Sequence, residues 1–153
     1  MKLRVICVDR IRSPYVAQAC ADFRARLRAY YVLEEIEVKA GHGKDPASAL
    51  RDESRRIARL LRADDRLWLL DRGGTQLSSV ALARRIAEAG RSGPARLTFV
   101  IGGAFGSDDA LRTRAQFVWS LSKLTFLHEW ARLLVLEQLY RAAKIARNEP
   151  YHH

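Results

Sequence analysis

Apolar residues occur in short runs along the 153-residue chain, and near-continuous apolar runs alternate with runs whose apolar residues repeat every three to four. Leu3 to Val8 is rich in β-branched residues and reads as a strand buried on both faces except at Arg4. Ser13 then offers a helix N-cap and Pro14 a first helical position, after which Val16, Ala19, Cys20, Phe23, Leu27 and Tyr30 share one helical stripe. Glu35 to Lys39 reads as a second strand. Asp45 and Pro46 repeat the cap-plus-proline signal ahead of a stripe of Leu50, Ile57, Leu60 and Leu61. RLWLLD, residues 66–71, is a third and fully buried strand, which Gly73 and Gly74 break. Ser78 or Ser79 caps a helix carrying Leu82, Ile86 and Ala89, with Gly90 placed for a left-handed cap. RLTFVI, residues 96–101, is a fourth strand. A short helical piece through Leu111, a fifth strand around Phe117 to Ser120, a long helix from about Glu129 to Arg147 and the tail NEPYHH complete the chain.

This alternation predicts an α/β fold, a mostly parallel sheet flanked by helices on both faces. No repeat, low-complexity tract or linker interrupts it, so residues 1–153 read as a single domain, long enough to bury a core without disulfides or a structural metal. Cys7 and Cys20 fall in apolar runs outside any CxxC or Cys/His cluster and read as core. No apolar run approaches the roughly 20 residues of a membrane span. The start, MKLRVICVDR, carries charge where a signal peptide is apolar, so the expected location is cytoplasmic, away from membranes.

Charge changes the picture more. Lys and Arg number 27 against 17 Asp and Glu, a formal net charge of +10. Such an excess favours a polyanionic partner, nucleic acid first, because each phosphate neutralised releases counterions. The competing reading is that RARLR and RRIARLLR are solvated helix faces.

The candidate chemistry lies at strand ends. FVIGGAFG, Phe99 to Gly106, is neither a Walker A loop, which needs a lysine behind the glycines, nor a GxGxxG fingerprint early in a βαβ unit. Ligands in open α/β sheets sit outside the carboxyl ends of strands, where glycines allow close approach to backbone. LLDRGG, VIGGAFG and SLSKLTF are three such ends; one glycine loop alone reads as a turn before it reads as a site, and three such ends in one small domain shift the reading toward a site.

LLDRGG, FVIGGAFG, WSLSKLTFLHEWARLLVLEQLYRA and the terminal PYHH, in that order over essentially the whole chain, resemble the bacterial ribosomal RNA large subunit methyltransferase H family of the SPOUT superfamily. The resemblance implies a C-terminal segment threaded through a loop in a deep trefoil knot. The pattern of elements alone gives an unknotted sheet, since connections rarely thread loops. It also implies a homodimer, and S-adenosylmethionine bound by Leu70, Gly102, Gly103 and the loop Leu121, Ser122, Lys123, Leu124, Thr125 and Phe126. The implied reaction is methylation of N3 of a pseudouridine in large-subunit (23S) ribosomal RNA, on the assembled ribosome. An activated sulfonium donor leaves the protein to align the reactants and help N3 lose its proton, with no metal required.

For that task the resemblance points to Arg141 as an RNA-binding residue and to Tyr151 and His152 as catalytic residues at the tail. Other readings stand beside these. Arg141 follows Glu137 by four residues and suits an i,i+4 pair, and a terminal Tyr-His suits a disordered end. His128 reads as a hydrogen-bonded structural histidine, ahead of a donor to the cofactor loop, Trp68 as core, and Trp119 and Trp130 as core or dimer interface, while His42 belongs to a solvated loop. The chain departs from the family's usual pattern at Leu127, where proline is usual, at Thr75, where lysine is, at Glu129 and Trp130, and at His153, where a basic residue is. Competing functions are a SPOUT methyltransferase acting on another RNA such as tRNA, and a non-catalytic RNA- or ribosome-binding protein with the same knot.

Overall fold

The computed structural model describes residues 1–93 and 96–153. Its elements are β1 (Lys2–Val8), α1 (Pro14–Leu27), β2 (Val32–Val38), α2 (Pro46–Leu60), β3 (Asp65–Gln76), α3 (Ser79–Arg91), β4 (Arg96–Ile101), α4 (Asp109–Arg114), β5 (Phe117–Ser120) and α5 (His128–Ala146). The strands form one sheet in the order β2-β1-β4-β3-β5, and all its neighbours pair in parallel.

The two-residue period of the strands divides the core into two layers. Leu3, Val5, Cys7, Trp68, Leu97, Phe99 and Ile101 face α1, α3 and α5, which contribute residues such as Cys20, Ile86 and Leu136. Ile6, Val8, Leu67, Leu69 and Val100 face the other way, toward Ile57 of α2 and Leu111 of α4. Aromatic edges tie the strands sideways: Trp68 meets Phe99 at 5.4 Å and Phe117 at 5.0 Å, and Phe99 meets Trp119 at 6.3 Å. Each such pair contributes about 0.5–1.5 kcal/mol beyond area burial. They bind together β4, β3 and β5, the strands whose ends form the site described below.

Several local expectations give way to tertiary structure. Arg4 is buried rather than left out of the core, because its Nε donates to Glu34 at 2.7 Å and its Nη1 to the Leu60 carbonyl at 2.7 Å. β2 starts at Val32, three residues before the expected start, because β1 lies alongside as a template with Lys2 opposite Val32. β3 runs on through Gly73 and Gly74 to Gln76, with a register shift against β5 between Leu70 and Thr75. The left-handed glycine after α3 is Gly93 at φ 65°, not Gly90, which lies inside the helix. Ser13 holds the N-cap position of α1, but its hydroxyl donates to Glu129 of α5 instead of capping its own helix. Asp45 and Ser78 do cap α2 and α3, accepting from the Ser48 and Ala81 amides. Trp68 and Trp119 are core, whereas Trp130 is exposed beside Tyr15. No helix among the described residues is long and apolar enough to cross a membrane.

Candidate active site

β4, β3 and β5 are adjacent in the sheet. Neighbouring strands lie about 4.8 Å apart, so their carboxyl ends fall within about 10 Å of one another. Between them opens a cleft of about 560 Å³. Leu70 closes it from β3, Ile101 and the turn Gly102–Ser107 from β4, and Leu121, Ser122, Leu124, Thr125 and Phe126 from the segment after β5. Lys123 is exposed and does not line it.

The glycine turn is shaped by the backbone. Gly106 has φ 80° and its N–H donates to the Gly103 carbonyl at 3.1 Å. Gly102 lies so close under the returning chain that a Cβ on it would come within 2.4 Å of the Gly106 carbonyl oxygen. Polar contacts fix the turn from behind: the Ser54 hydroxyl of α2 donates to Asp108, which also caps α4 by accepting from the Leu111 amide at 3.0 Å. Ser107 lines this cleft, and its hydroxyl is buried just behind the wall without a hydrogen-bond partner among the described residues. An unsatisfied buried hydroxyl costs about 1–3 kcal/mol, so a ligand that bonds it recovers that penalty.

The loop after β5 is held at several points. Ser120 Oγ lies 3.1 Å from the Arg72 carbonyl and 2.9 Å from that of Ser122, and the Leu124 amide donates to Ser122 Oγ at 3.1 Å. Arg72 reaches over from β3 and donates to Thr125 Oγ1 at 3.1 Å. His128 Nε2 lies 3.4 Å from the Arg10 carbonyl, toward the β1–α1 connection rather than the loop. Glu129 accepts from the Arg12 amide at 2.9 Å and from Ser13, and these bonds hold its carboxyl below the usual range. The start of α5 is thereby tied to the start of α1. Further along, buried Arg132 donates to Glu37 at 2.8 Å and to Glu35 at 3.1 Å.

Arg141, Tyr151 and His152 form a second cluster. Arg141 pairs with Glu137 at 2.7 Å, as the i,i+4 spacing suggests, and its guanidinium also lies 4.6 Å from the Tyr151 ring centre. Its Nη1 is 3.4 Å from His152 Nδ1. The Tyr151 hydroxyl donates to Glu137 at 3.1 Å, and its ring meets Tyr140 edge-on at 4.9 Å. Burial and the Glu137 carboxylate push the Tyr151 phenol above its ordinary pKa. Glu149 staples the tail to the body through Tyr30 at 2.6 Å and Lys144 at 2.8 Å, so the tail is folded back against the α1–β2 connection and α5.

The two clusters are separate within one chain. None of Arg141, Tyr151 and His152 lines the cleft. Arg141 stands thirteen residues along α5 from His128, which does. At 1.5 Å per residue that is about 20 Å. Asp71, Arg72, Ile101, Phe105 and Ser107 also line the cleft and were not singled out individually in the sequence for it, whereas His128, which lines it too, was weighed as a donor to the loop. Their only sequence signal is adjacency to the three strand ends.

A parallel α/β sheet with its cleft at these strand ends is the architecture of a SPOUT methyltransferase, and a family model described as "Predicted SPOUT methyltransferase" matches residues 1–152. A solved structure of a probable methylase family protein from Haemophilus influenzae Rd KW20 superposes with a TM-score of 0.59 over 99% of this chain and 70% of that one; at 11% identity it speaks for the fold alone. Among curated proteins, the ribosomal RNA large subunit methyltransferase H of Pelobacter propionicus is 43% identical over the whole of both chains, and that of Gloeobacter violaceus is 41% identical over 100% of this chain and 99% of its own. The chain belongs to the ribosomal RNA large subunit methyltransferase H family of SPOUT methyltransferases.

Proposed function

We propose that this protein transfers a methyl group from S-adenosylmethionine to N3 of a pseudouridine in large-subunit ribosomal RNA, on the assembled ribosome in the cytoplasm. The observation that carries the reading is the cleft at the ends of β3, β4 and β5, in a chain whose full-length relatives are named for large-subunit ribosomal RNA methylation. The residues present fit the methyl donor. Leu70, Ile101, Leu121 and Phe126 offer apolar walls to a flat adenine, the glycine turn offers backbone donors and acceptors, and the Ser107 hydroxyl lacks a partner. Bound there, S-adenosylmethionine supplies a methyl group already activated by its sulfonium. Membership of the family implies that the segment after β5 is threaded through a knot.

The remaining work falls to the tail. Arg141 grips RNA phosphate or the target nucleotide, with Glu137 and Tyr151 holding its guanidinium in place. Tyr151 orients the base, and His152 beside Arg141 takes the N3 proton. Because about 20 Å of α5 separates this cluster from the cleft of its own chain, the tail serves the cleft of a second copy in a homodimer. Exposed Tyr15, Leu124, Leu127 and Trp130, beside the start of α5, supply the apolar surface such a pairing buries.

Ribosomes lacking the modification, and free RNA in parallel, are incubated with the protein and methyl-labelled S-adenosylmethionine, and the labelled nucleotide is mapped by mass spectrometry. Label on a large-subunit pseudouridine, from ribosomes only, is expected. Label on transfer RNA, or none despite cofactor binding, overturns the substrate assignment. His152→Ala mixed with Gly102→Val, each inactive alone, is expected to regain part of the turnover through hybrid dimers; a fully active monomer refutes the shared site.

A further inference from the structure

Arg72 leaves the carboxyl end of β3 two residues after Leu70 and lines the cleft. Among the described residues it is the one arginine or lysine that does so. Its Nη1 donates to Thr125 Oγ1 at 3.1 Å, and among the described residues it has no ion-pair partner. The one carboxylate in the cleft wall, Asp71, is already engaged by Arg112 at 2.9 Å and by the Gly73 amide at 2.7 Å. A guanidinium carries five N–H donors in a planar fork that matches a carboxylate, so one bond to a neutral hydroxyl leaves most of them free. The rest of the wall is apolar side chain and glycine backbone, with Ser107, the hydroxyls of Ser122 and Thr125 and the His128 ring among it. Arg72 stands exposed at the mouth of the cleft, so its free donors are accessible to one anionic group on a ligand seated there.

We infer that Arg72, steadied by Thr125, binds the carboxylate of the amino-acid portion of S-adenosylmethionine. The inference rests on the proposed reading of the cleft as the methyl-donor site. The carboxylate is the donor's one anionic group, and it is the same in the donor and in its thioether product. Contact with it is therefore made equally before and after transfer, and it acts on binding rather than on the chemical step.

Calorimetric titration of wild type, Arg72→Ala and Arg72→Lys with S-adenosylhomocysteine, and with its decarboxylated analogue that keeps adenosine, thioether and amine, tests this. Arg72→Ala is expected to weaken S-adenosylhomocysteine roughly ten- to a hundredfold while changing the analogue by no more than about twofold, and Arg72→Lys to recover part of the loss. Equal weakening of both ligands makes Arg72 a support for the loop and overturns the inference. Unchanged affinity for S-adenosylhomocysteine with a raised KM for ribosomes makes it an RNA contact and overturns it too. Wild type that binds neither ligand refutes the cleft reading itself, whereas equal, tight binding of S-adenosylhomocysteine by wild type and Arg72→Ala refutes only the role of Arg72.

Discussion

Gly102→Ala is the substitution on which the reading of the cleft turns most directly. A methyl group there would stand 2.4 Å from the Gly106 carbonyl oxygen, 2.9 Å from its carbon and 3.0 Å from Ser107 Oγ. Non-bonded heavy atoms settle at about 3.5–4.0 Å, so the returning strand of the turn must move back by roughly 1 Å. The two nearest partners are backbone atoms of Gly106, with no side-chain rotamer to relieve the contact. Overpacking of this kind costs about 1–3 kcal/mol. If the open turn no longer presents its backbone to the ligand, that cost appears as a loss of affinity of roughly five- to 150-fold. Gly93→Ala is the control. Gly93 has φ 65° with open space around its Cβ direction, and it precedes β4 at the opposite end of the strand from the cleft. It should cost about 1–2 kcal/mol of stability through backbone strain alone and leave binding intact. Urea unfolding reads stability and calorimetry with S-adenosylhomocysteine reads affinity. Wild-type affinity in Gly102→Ala, with a stability loss like that of Gly93→Ala, would show that the turn does not hold the ligand.

Other substitutions probe the frame around the site. Arg132→Met leaves Glu35 buried with only Arg24 beside it, while the half-exposed Glu37 rehydrates; the expected loss is about 3 kcal/mol, the low end for a broken buried pair. A loss below about 1 kcal/mol in urea titrations would contradict the structural role of that pair. The Glu129 carboxyl is held below its ordinary pKa by Ser13 and the Arg12 amide. Its contribution is thus present above the unfolded-state value of about 4.3 and fades as pH falls through the lower folded-state value. Stability measured from pH 7 to pH 3 should therefore decline less steeply in Glu129→Gln than in wild type, and parallel curves would refute the assignment. Burial pushes the Cys7 thiol up to about 12 and the Cys20 thiol up to about 11. Both should resist a disulfide reagent at pH 8 until the protein is unfolded, and rapid labelling of the native protein would contradict their place in the core.

Much of the site's composition is legible in the chain. The run RLTFVI matches β4 from Arg96 to Ile101, and FVWS matches β5, because an apolar run this short, next to a glycine turn or a polar loop, suits a buried strand. The family motifs point to Leu70, Gly102, Gly103 and five residues of the loop Leu121 to Phe126 that the folded chain brings to one cleft. Lys123 belongs to the same motif but projects away from the cleft, a matter of side-chain direction that sequence order does not carry.

The apolar pattern along the chain thus determined where the strands and helices fall to within a few residues and many of the residues they bury, because both depend on the few neighbours within a turn or a pleat. Only the tertiary structure decided that β4 lies between β1 and β3 and that Arg72 meets Thr125, 53 residues away. It alone turned Ser13 from a cap into a partner of Glu129, and set the tail cluster and the cleft at different places along α5. These outcomes depend on the order in which strands are laid into the sheet and on charges finding partners across it. No local pattern encodes such choices, since each is settled by burial and electrostatics between segments that meet only once the chain has folded.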